Sequence, residues 1–335
     1  TGVTTLYHAS NAPKLATTST GVTVTGDITA SSLNGGQLGG RRNLIINGAM
    51  QINQRGASSV TSGYFVDRFT LSACSASAVL TSSTPTEFPK AISVSATSGN
   101  PIIIQKIESK SCQGLSGKTV TASFYAKNIS NATTLYASLQ FAGSADNFGS
   151  TTTISEQNLG SLSGSWVKYT ASWTVPSGGL NGLALNILCA GSSTFTMGVT
   201  GVQLEVGSVA TPFEHRSFGE ELALCQRYYY RRTIGNSFVD FLPYAIAYAT
   251  TDIQGGAFHP VQMRANPTLA FSGILKAGQG NAEYASADAT AFTSNSTKDS
   301  VAFYTQSNTF SGLTQFRGYQ IYGAANDYME LTAEL

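Results

Sequence analysis

Apolar and polar residues alternate along many short segments of this chain, which is the pattern of β-strands with one buried face. Residues 119–127, 134–141, 166–175 and 183–189 each place apolar side chains on one face and more polar side chains on the other. Clusters of turn-forming residues separate segments of this kind. The pattern predicts an antiparallel β-sandwich over residues 43–218.

Three other regions complete the expected all-β architecture. Residues 1–42 hold short β-branched stretches cut by Gly and too few apolar residues to close a core, so we expect a shaft wound from several copies and a hinge at 34–40. Residues 219–231 have helical apolar spacing after two acidic residues, which predicts a short connecting helix. Residues 232–335 return to alternation and predict a β-rich tip domain, with a long exposed loop over the polar stretch 278–298.

The composition limits what the chain can bind. Only 11% of the 335 residues are charged and the formal net charge is +1, against about 25% charged residues in an average domain. The chain has 41 Ser, 39 Thr and 34 Gly, so its surface is coated with hydroxyls and backbone. Nucleic acid and acidic membrane surfaces are therefore poor partners. No apolar run approaches the ~18 residues of a membrane-spanning helix, and no membrane insertion is expected.

The cysteines and histidines give no sign of a metal or cofactor. The three His residues are isolated, and no Cys pair shows the spacing of metal ligands. We expect no cofactor, no metal and four reduced thiols that act as small buried hydrophobic groups. These are Cys74, Cys112, Cys189 and Cys225.

Three segments have the sequence of framework strands: Arg42–Gln51, Leu115–Lys127 and Ser165–Pro176. They resemble jelly-roll carbohydrate-binding modules that are appended to glycanases. The resemblance implies a jelly-roll sandwich rather than any particular ligand. Many such modules carry a carboxylate after the first strand that helps hold a structural calcium. Here Ala49, Met50 and Gln51 occupy that place, so the resemblance carries no calcium site over to this chain.

A second set of motifs occurs along the chain: Leu15–Asp27, Asn43–Gly56, Tyr64–Phe69, Gly201–Gly207, Thr211–Arg216 and Cys225–Tyr230. This set is similar to the distal part of tailed-bacteriophage tail fibres. The family implies a homotrimer whose thin shaft presents tip domains to a bacterial surface. It also implies location in the virion after assembly in the host cytoplasm. The partners would be other tail proteins on the N-terminal side and a host surface glycan or outer-membrane protein at the tip.

Catalysis is the sharper alternative to simple binding. Glycoside hydrolysis needs two carboxylates at a set separation, and no pattern among the 18 Asp and Glu residues selects such a pair. Asp67 and Arg68 are adjacent and form either a substrate-clamping pair or a structural ion pair at the start of a strand, the second being favoured. We expect no enzyme activity, while a depolymerase tailspike (an endoglycanase) and a purely structural virion fibre remain as alternatives.

Aromatic and amide side chains are the groups that recognise sugars, because rings stack on C–H faces and amides bond hydroxyls. The distal position of residues 232–335 and the expected loop favour that region as the receptor-binding site. Its candidates are Tyr284, Phe292, Asn281, Asn295 and Asn308. The polar faces of the sandwich are the second choice, unless they pack on a neighbouring subunit or the last domain. Their candidates for glycan binding are Tyr125, Tyr136, Gln140, Trp166 and Asn186.

Overall fold

The computed structural model describes residues 4–7, 13–19, 21–25, 41–56, 59–72, 76–233, 240–279, 282–288, 292–305, 309–324 and 326–335. Within these residues the chain consists of antiparallel β-sheets and one α-helix, as the alternation predicts.

The N-terminal half contains thirteen strands among its described residues. Short 3-10 helices span Ser109–Cys112 and Ser177–Asn181. The strands are β1 (Thr5–Tyr7), β2 (Pro13–Thr17), β3 (Val22–Val24), β4 (Ser59–Val60), β5 (Gly63–Tyr64), β6 (Phe69–Leu71), β7 (Ala76–Thr81), β8 (Ala91–Ala96), β9 (Ile102–Ile107), β10 (Thr119–Ser144), β11 (Asn147–Ser161), β12 (Val167–Thr174) and β13 (Leu183–Val206).

The first three strands form a small antiparallel meander, β1-β2-β3. Leu6 and Val22 are 58% and 57% exposed, because a sheet of this size has no second layer to cover it. The expected hinge at 34–40 lies outside the described residues.

Strands β4 to β13 form a two-layered sandwich of the jelly-roll kind. The long strands β10 and β13 pass through both layers and pair with each other in both. Sheet I consists of β4, β7, β8, the second half of β13, the first half of β10 and β12. Sheet II consists of β5, β6, β9, the first half of β13, the second half of β10 and β11.

A bend in β10 carries the chain from one layer to the other. The register with β13 shifts repeatedly between Asn128 and Thr134, and Asn131 adopts a φ of 53°. Asn tolerates this left-handed conformation better than most residues. The core between the layers is apolar, and Phe124, Leu139 and Leu185 are 0–1% exposed.

The connecting helix is shorter than predicted. It spans Phe218–Gln226, and its N-cap Ser217 accepts a hydrogen bond from the Glu220 backbone N–H at 3.3 Å. The predicted range of 219–231 extends too far, because Tyr229 already pairs with Thr332 in a β-sheet.

The C-terminal region folds into a three-stranded sheet, β14-β23-β17, and a seven-stranded sheet, β19-β18-β22-β15-β16-β21-β20. Phe303, Tyr319 and Ile321 lie in its core. The elements from the helix onward are α1 (Phe218–Gln226), β14 (Tyr229–Thr233), β15 (Asp240–Ala247), β16 (Ile253–Phe258), β17 (Thr268–Phe271), β18 (Ile274–Gln279), β19 (Ala282–Asp288), β20 (Phe292–Ser296), β21 (Ser300–Thr305), β22 (Gly318–Tyr322) and β23 (Tyr328–Thr332).

The long loop expected over 278–298 is wrong. Strands β19 and β20 occupy most of it and form the two edges of the seven-stranded sheet. Edge strands have exposed, polar side chains and need no apolar alternation, so their sequence resembles that of a loop.

Three of the four cysteines lie in the described residues, and each is a buried free thiol: Cys112, Cys189 and Cys225. Burial raises the pKa of Cys112 to about 12 and that of Cys189 to about 11. These thiols therefore stay protonated and unreactive. Cys74 lies outside the described residues.

Candidate functional site

The five candidates on the sandwich lie on two different sheets. Tyr136 and Gln140 lie on the second half of β10 and Asn186 on the first half of β13, so these three belong to sheet II. Tyr125 lies on the first half of β10, in sheet I, and Trp166 directly precedes β12 of the same sheet. The structure therefore brings together Tyr136, Gln140 and Asn186 and separates them from the other two.

Tyr125 and Trp166 are packing groups on sheet I. The ring of Tyr125 lies 5.4 Å from that of Phe88, which in turn makes an edge contact with Phe213 at 5.0 Å. The indole of Trp166 covers Gly198, where an added Cβ atom would lie 2.7 Å from the ring. Both rings already have partners within the chain.

Residues 208–216 cover part of the same sheet. Lys168 Nζ donates to the carbonyl oxygen of Thr211 at 2.7 Å. The backbone N–H of Glu214 donates to Gln203 Oε1 at 2.8 Å. Residues of the same chain thus supply part of the packing that the sequence left open for this face.

The outer face of sheet II is organised in rows that run across the strands. Side chains at paired positions on one face are close neighbours, so the register defines these rows. Tyr136 pairs with Leu188 on one side of the central row, and Gln140 pairs with Ala184 on the other side. The central row is Glu156 on β11, Ser138 on β10, Asn186 on β13, Ile104 on β9 and Thr70 on β6.

Asn186 stands at the centre of this row and is only 3% exposed, although it faces away from the core of the sandwich. Its Nδ2 group donates to Ser138 Oγ at 3.2 Å. Its Oδ1 atom is buried and has no hydrogen-bond partner in the described part of the chain. The opposite amide orientation would leave Nδ2 without a partner instead. A buried amide with an unmet hydrogen bond costs about 1–3 kcal/mol.

The other two candidates differ in how free their side chains are. Gln140 is held in place, since its Oε1 accepts from Thr151 Oγ1 at 3.1 Å and its Nε2 donates to Thr153 Oγ1 at 3.2 Å. Tyr136 is half-buried beside Leu188. It lies two residues before Ser138 on the same face of β10.

The last residues of the chain border this face. Leu335 accepts hydrogen bonds at its carbonyl oxygen from Tyr64 Oη at 2.9 Å and from Lys106 Nζ at 2.7 Å. Lys106 pairs with Ala184, two residues before Asn186. Burial raises the pKa of Tyr64 to about 12, so its hydroxyl remains a donor. The face therefore lies next to the junction of the sandwich and the C-terminal region.

A buried ionic cluster holds that junction. Arg68 is 1% exposed, pairs with Glu334, and stacks over Tyr228 with 3.6 Å from Cζ to the ring centre. Asp67 contacts Arg55 instead, at 3.7 Å. Asp67 and Arg68 are therefore structural groups with separate partners, and neither lies on the outer face of sheet II.

The C-terminal candidates are only partly within the described structure. Tyr284 lies in β19 and Phe292 at the start of β20, both in strands rather than in the expected loop, and their side chains lie outside the described residues. Asn281 and Asn308 also lie outside the described residues. Asn295 is exposed on β20 and pairs with Ala302 of β21.

Side chains that could act as metal ligands do not cluster in the described part of the chain. The described residues contain no group of three or more His, Cys, Asp or Glu side chains that could hold a metal ion. No helix among them is long and apolar enough to cross a membrane.

Comparisons with known proteins give weak similarities. No family model matches the chain, and no curated protein sequence matches it significantly. Among solved structures, the chain is similar to the enzymatically active domain of tailspike protein 4 from bacteriophage CBA120, at 18% identity and a TM-score of 0.36. The match covers 49% of this chain and 21% of that one.

Two carbohydrate-binding modules of family 22 are also similar. The CBM22-1 xylan-binding domain of Paenibacillus barcinonensis Xyn10C has 12% identity and a TM-score of 0.35, and the match covers 53% of this chain and 100% of that one. The C-terminal module of Clostridium thermocellum Xyn10B has 17% identity and a TM-score of 0.34, with 45% and 96% covered. At these values the similarities assign no function, which has to come from the side chains of this chain.

Sequence reasoning missed Ser138 and Ile104 as members of the central row. Ser138 occupies a polar position of its strand, but its neighbours depend on which strands pair. Ile104 ends a run of four apolar residues, Pro101 to Ile104. Because the run does not alternate, it does not show on which face of the strand the Ile104 side chain lies. Placing either residue in the row requires the pairing register between β10, β13 and β9, which the sequence does not show.

Proposed function

We propose that this chain is the distal part of a tailed-bacteriophage tail fibre that attaches the virion to its host by binding a surface glycan on the outer face of sheet II. The observation that carries the proposal is the buried Oδ1 atom of Asn186, an acceptor without a partner in the described chain. A sugar hydroxyl would supply the missing hydrogen.

The groups around Asn186 support a sugar as the ligand. Tyr136 offers a ring for stacking on pyranose C–H groups, which is how aromatic side chains recognise sugars. Ser138 supplies a hydroxyl and Glu156 an exposed carboxylate at the rim, at paired positions of β10 and β11. A few fixed polar groups within an apolar and aromatic surround are typical of ligand sites.

The low charge of the chain supports the same reading. Only 11% of residues are charged, so stacking and hydrogen bonds rather than ion pairs would carry the affinity. Salt screens exposed charges but has little effect on burial. Attachment should therefore survive high ionic strength.

Multivalency would convert weak single-site binding into firm attachment. The fibre-like motifs imply a homotrimer, and the exposed apolar side chains of the N-terminal meander support contacts between copies there. Three sites on one fibre raise the effective affinity without any new contact. The N-terminal side would join the chain to other tail proteins.

Binding without hydrolysis is the activity that the face supports. Hydrolysis needs two carboxylates flanking the scissile bond, and Glu156 is the single carboxylate in the central row of described residues. Incubation with host envelope should therefore release no reducing ends above background. Turnover abolished by one Asp or Glu substitution would contradict this.

Flow cytometry of the labelled full chain on a panel of bacterial strains tests the receptor class. Binding should fall after periodate oxidation of surface glycans and persist after protease treatment of the cells. The reverse pattern would indicate an outer-membrane protein as the receptor. Absence of binding to every strain, with the fold intact, would support the structural-fibre alternative.

A further inference from the structure

A shallow open groove of about 480 Å³ lies on the outer face of the seven-stranded sheet. Residues of β15, β16, β20 and β21 line it, with Ile246, Gln254 and Tyr304 in one row defined by the register. Sheet II does not contribute to this groove, so it is separate from the face around Asn186.

The floor of the groove is built from small residues. Gly256 pairs with Ala302, and Ala302 pairs with Asn295. An added Cβ atom at Gly256 would lie 2.8 Å from the carbonyl oxygen of Val301. The backbone thus excludes a side chain at this position, which keeps the groove open above Gly256.

Aromatic and amide groups rise on either side of this floor. Tyr304 and Gln254 line one side. Phe258 lies outside the lining residues, two residues beyond Gly256 on the same face of β16. The span from Gln254 to Phe258 is about 13 Å at the usual rise of a strand. Phe258 is 89% exposed, so its ring is accessible to a ligand that extends along β16.

A strained aromatic residue lies at the Ile246 end of the groove. Phe316 has a φ of 64° and is 79% exposed. Its backbone N–H donates to the carbonyl oxygen of Ala247 at 2.6 Å, and Gln315 Nε2 donates to the carbonyl oxygen of Tyr248 at 2.9 Å. A bulky residue held in this conformation costs about 1–3 kcal/mol and is found mostly at functional sites.

We propose that this groove is a second ligand site and that it binds a neutral oligosaccharide. The described residues that line it carry no charge, so they offer nothing that compensates an anionic or cationic ligand. The exposed amides of Gln254 and Asn295 match sugar hydroxyls, and the rings of Tyr304 and Phe258 match pyranose faces. The proposal does not depend on the sheet II face, since the two sites share no residue.

Saturation-transfer NMR with cellotriose, chitotriose and mannotriose as probes tests the proposal on the full chain. At least one of the three should receive saturation from the wild-type chain. Tyr304→Ala and Phe258→Ala should each weaken its binding about thirtyfold, the usual loss on truncating an aromatic anchor. Ala302→Arg, which fills the floor, should abolish it.

Matched controls separate this site from others. Phe218→Ala removes a ring that is 59% exposed at the start of α1 and should leave binding unchanged. The groove variants are also tested in the Ser138→Ala/Asn186→Leu background, in which the sheet II face no longer binds a glycan, so that the saturation transfer they remove comes from this groove. Circular dichroism checks each fold, and Gln254→Ala with Asn295→Ala replaces Tyr304→Ala if the latter unfolds.

Three results would overturn the proposal. The first is no saturation transfer from the wild-type chain to any of the three probes. The second is binding that the groove variants leave intact. The third is a change of oligomeric mass in light scattering on Ala302→Arg, which would make the groove a contact between copies of the chain.

Discussion

Arg68 and Glu334 form a buried ion pair that joins β6 of the sandwich to the last residues of the chain. Their side chains are 1% and 5% exposed. Arg55 reaches the same carboxylate, with 3.1 Å from Nη2 to Oε1. The end of the chain is thus held by two guanidinium groups of the sandwich, beside the face that carries Asn186.

Replacing Glu334 by Ala should destabilise the protein strongly. The change leaves the Arg68 charge buried without its counter-charge, which typically costs about 3–5 kcal/mol. The measurement is the free energy of unfolding from urea titration. Glu220→Ala is the matched control, because Glu220 pairs with Arg41 at 2.5 Å on the surface and should cost less than about 1 kcal/mol. Equal losses in the two variants would contradict the account of the junction.

Asp67 should make stability depend on pH. Burial raises its pKa from 3.8 to about 6, against opposing hydrogen bonds from Gln54 and the charge of Arg55. The folded state therefore binds the proton more tightly than the unfolded state between these values. The resulting stabilisation is complete below about pH 4 and is lost as pH rises through about 6, a change of about 3 kcal/mol.

The Asp67→Asn variant isolates this contribution from those of other groups. Between pH 4 and pH 7, the wild-type chain should lose about 3 kcal/mol more unfolding free energy than the variant. Parallel stability curves over that interval would mean that Asp67 titrates as an ordinary exposed carboxyl group.

The thiols should be unreactive in the folded protein. Cys112, Cys189 and Cys225 are buried, and burial raises the pKa of each. Iodoacetamide at pH 8 should label none of the three before unfolding. Without reductant, it should label all four cysteines after unfolding, as counted by intact mass. A cysteine still protected in denaturant would reveal a disulfide.

The full chain should form a homotrimer. The meander β1-β2-β3 leaves Leu6 and Val22 exposed, and a three-stranded sheet needs a covered hydrophobic face to be stable. Light scattering should give three chain masses, and Leu6→Asp with Val22→Asp should weaken assembly. Val209→Asp, at a residue 52% exposed elsewhere, is the control. A stable monomer of the unmodified chain would count against the fibre assignment.

Much of the sandwich could be predicted from sequence because its strands have one buried face. The alternation in 119–127 and 166–175 led directly to β10 and β12. It could not reveal that 119–127 and 134–141 belong to one strand that crosses between sheets, since that bend depends on Asn131 and on pairing with β13. For the same reason, the sequence could not show that Tyr125 and Tyr136 lie on different sheets.

Two strands of the C-terminal region were harder to predict from the sequence, and the reason is physical. Strands β19 and β20 form the edges of the sheet, where pairing with a single neighbouring strand supplies the stability and apolar alternation is not required. The alternation of apolar and polar residues in 183–189 predicted that Asn186 lies on the polar face of its strand. Only the packing around it shows that its amide is buried with one atom unpaired.

The most direct test of the central claim is the Ser138→Ala/Asn186→Leu double variant, measured for both melting temperature and binding to cells of a strain that the wild-type chain recognises. Replacing both partners of a buried hydrogen bond by apolar groups of similar shape is close to neutral or stabilising, particularly when one amide atom is unpaired. We predict an unchanged or higher melting temperature together with at least about a tenfold loss of binding. A lower melting temperature with undiminished binding would contradict the account, because Asn186 would then serve the fold and not a ligand.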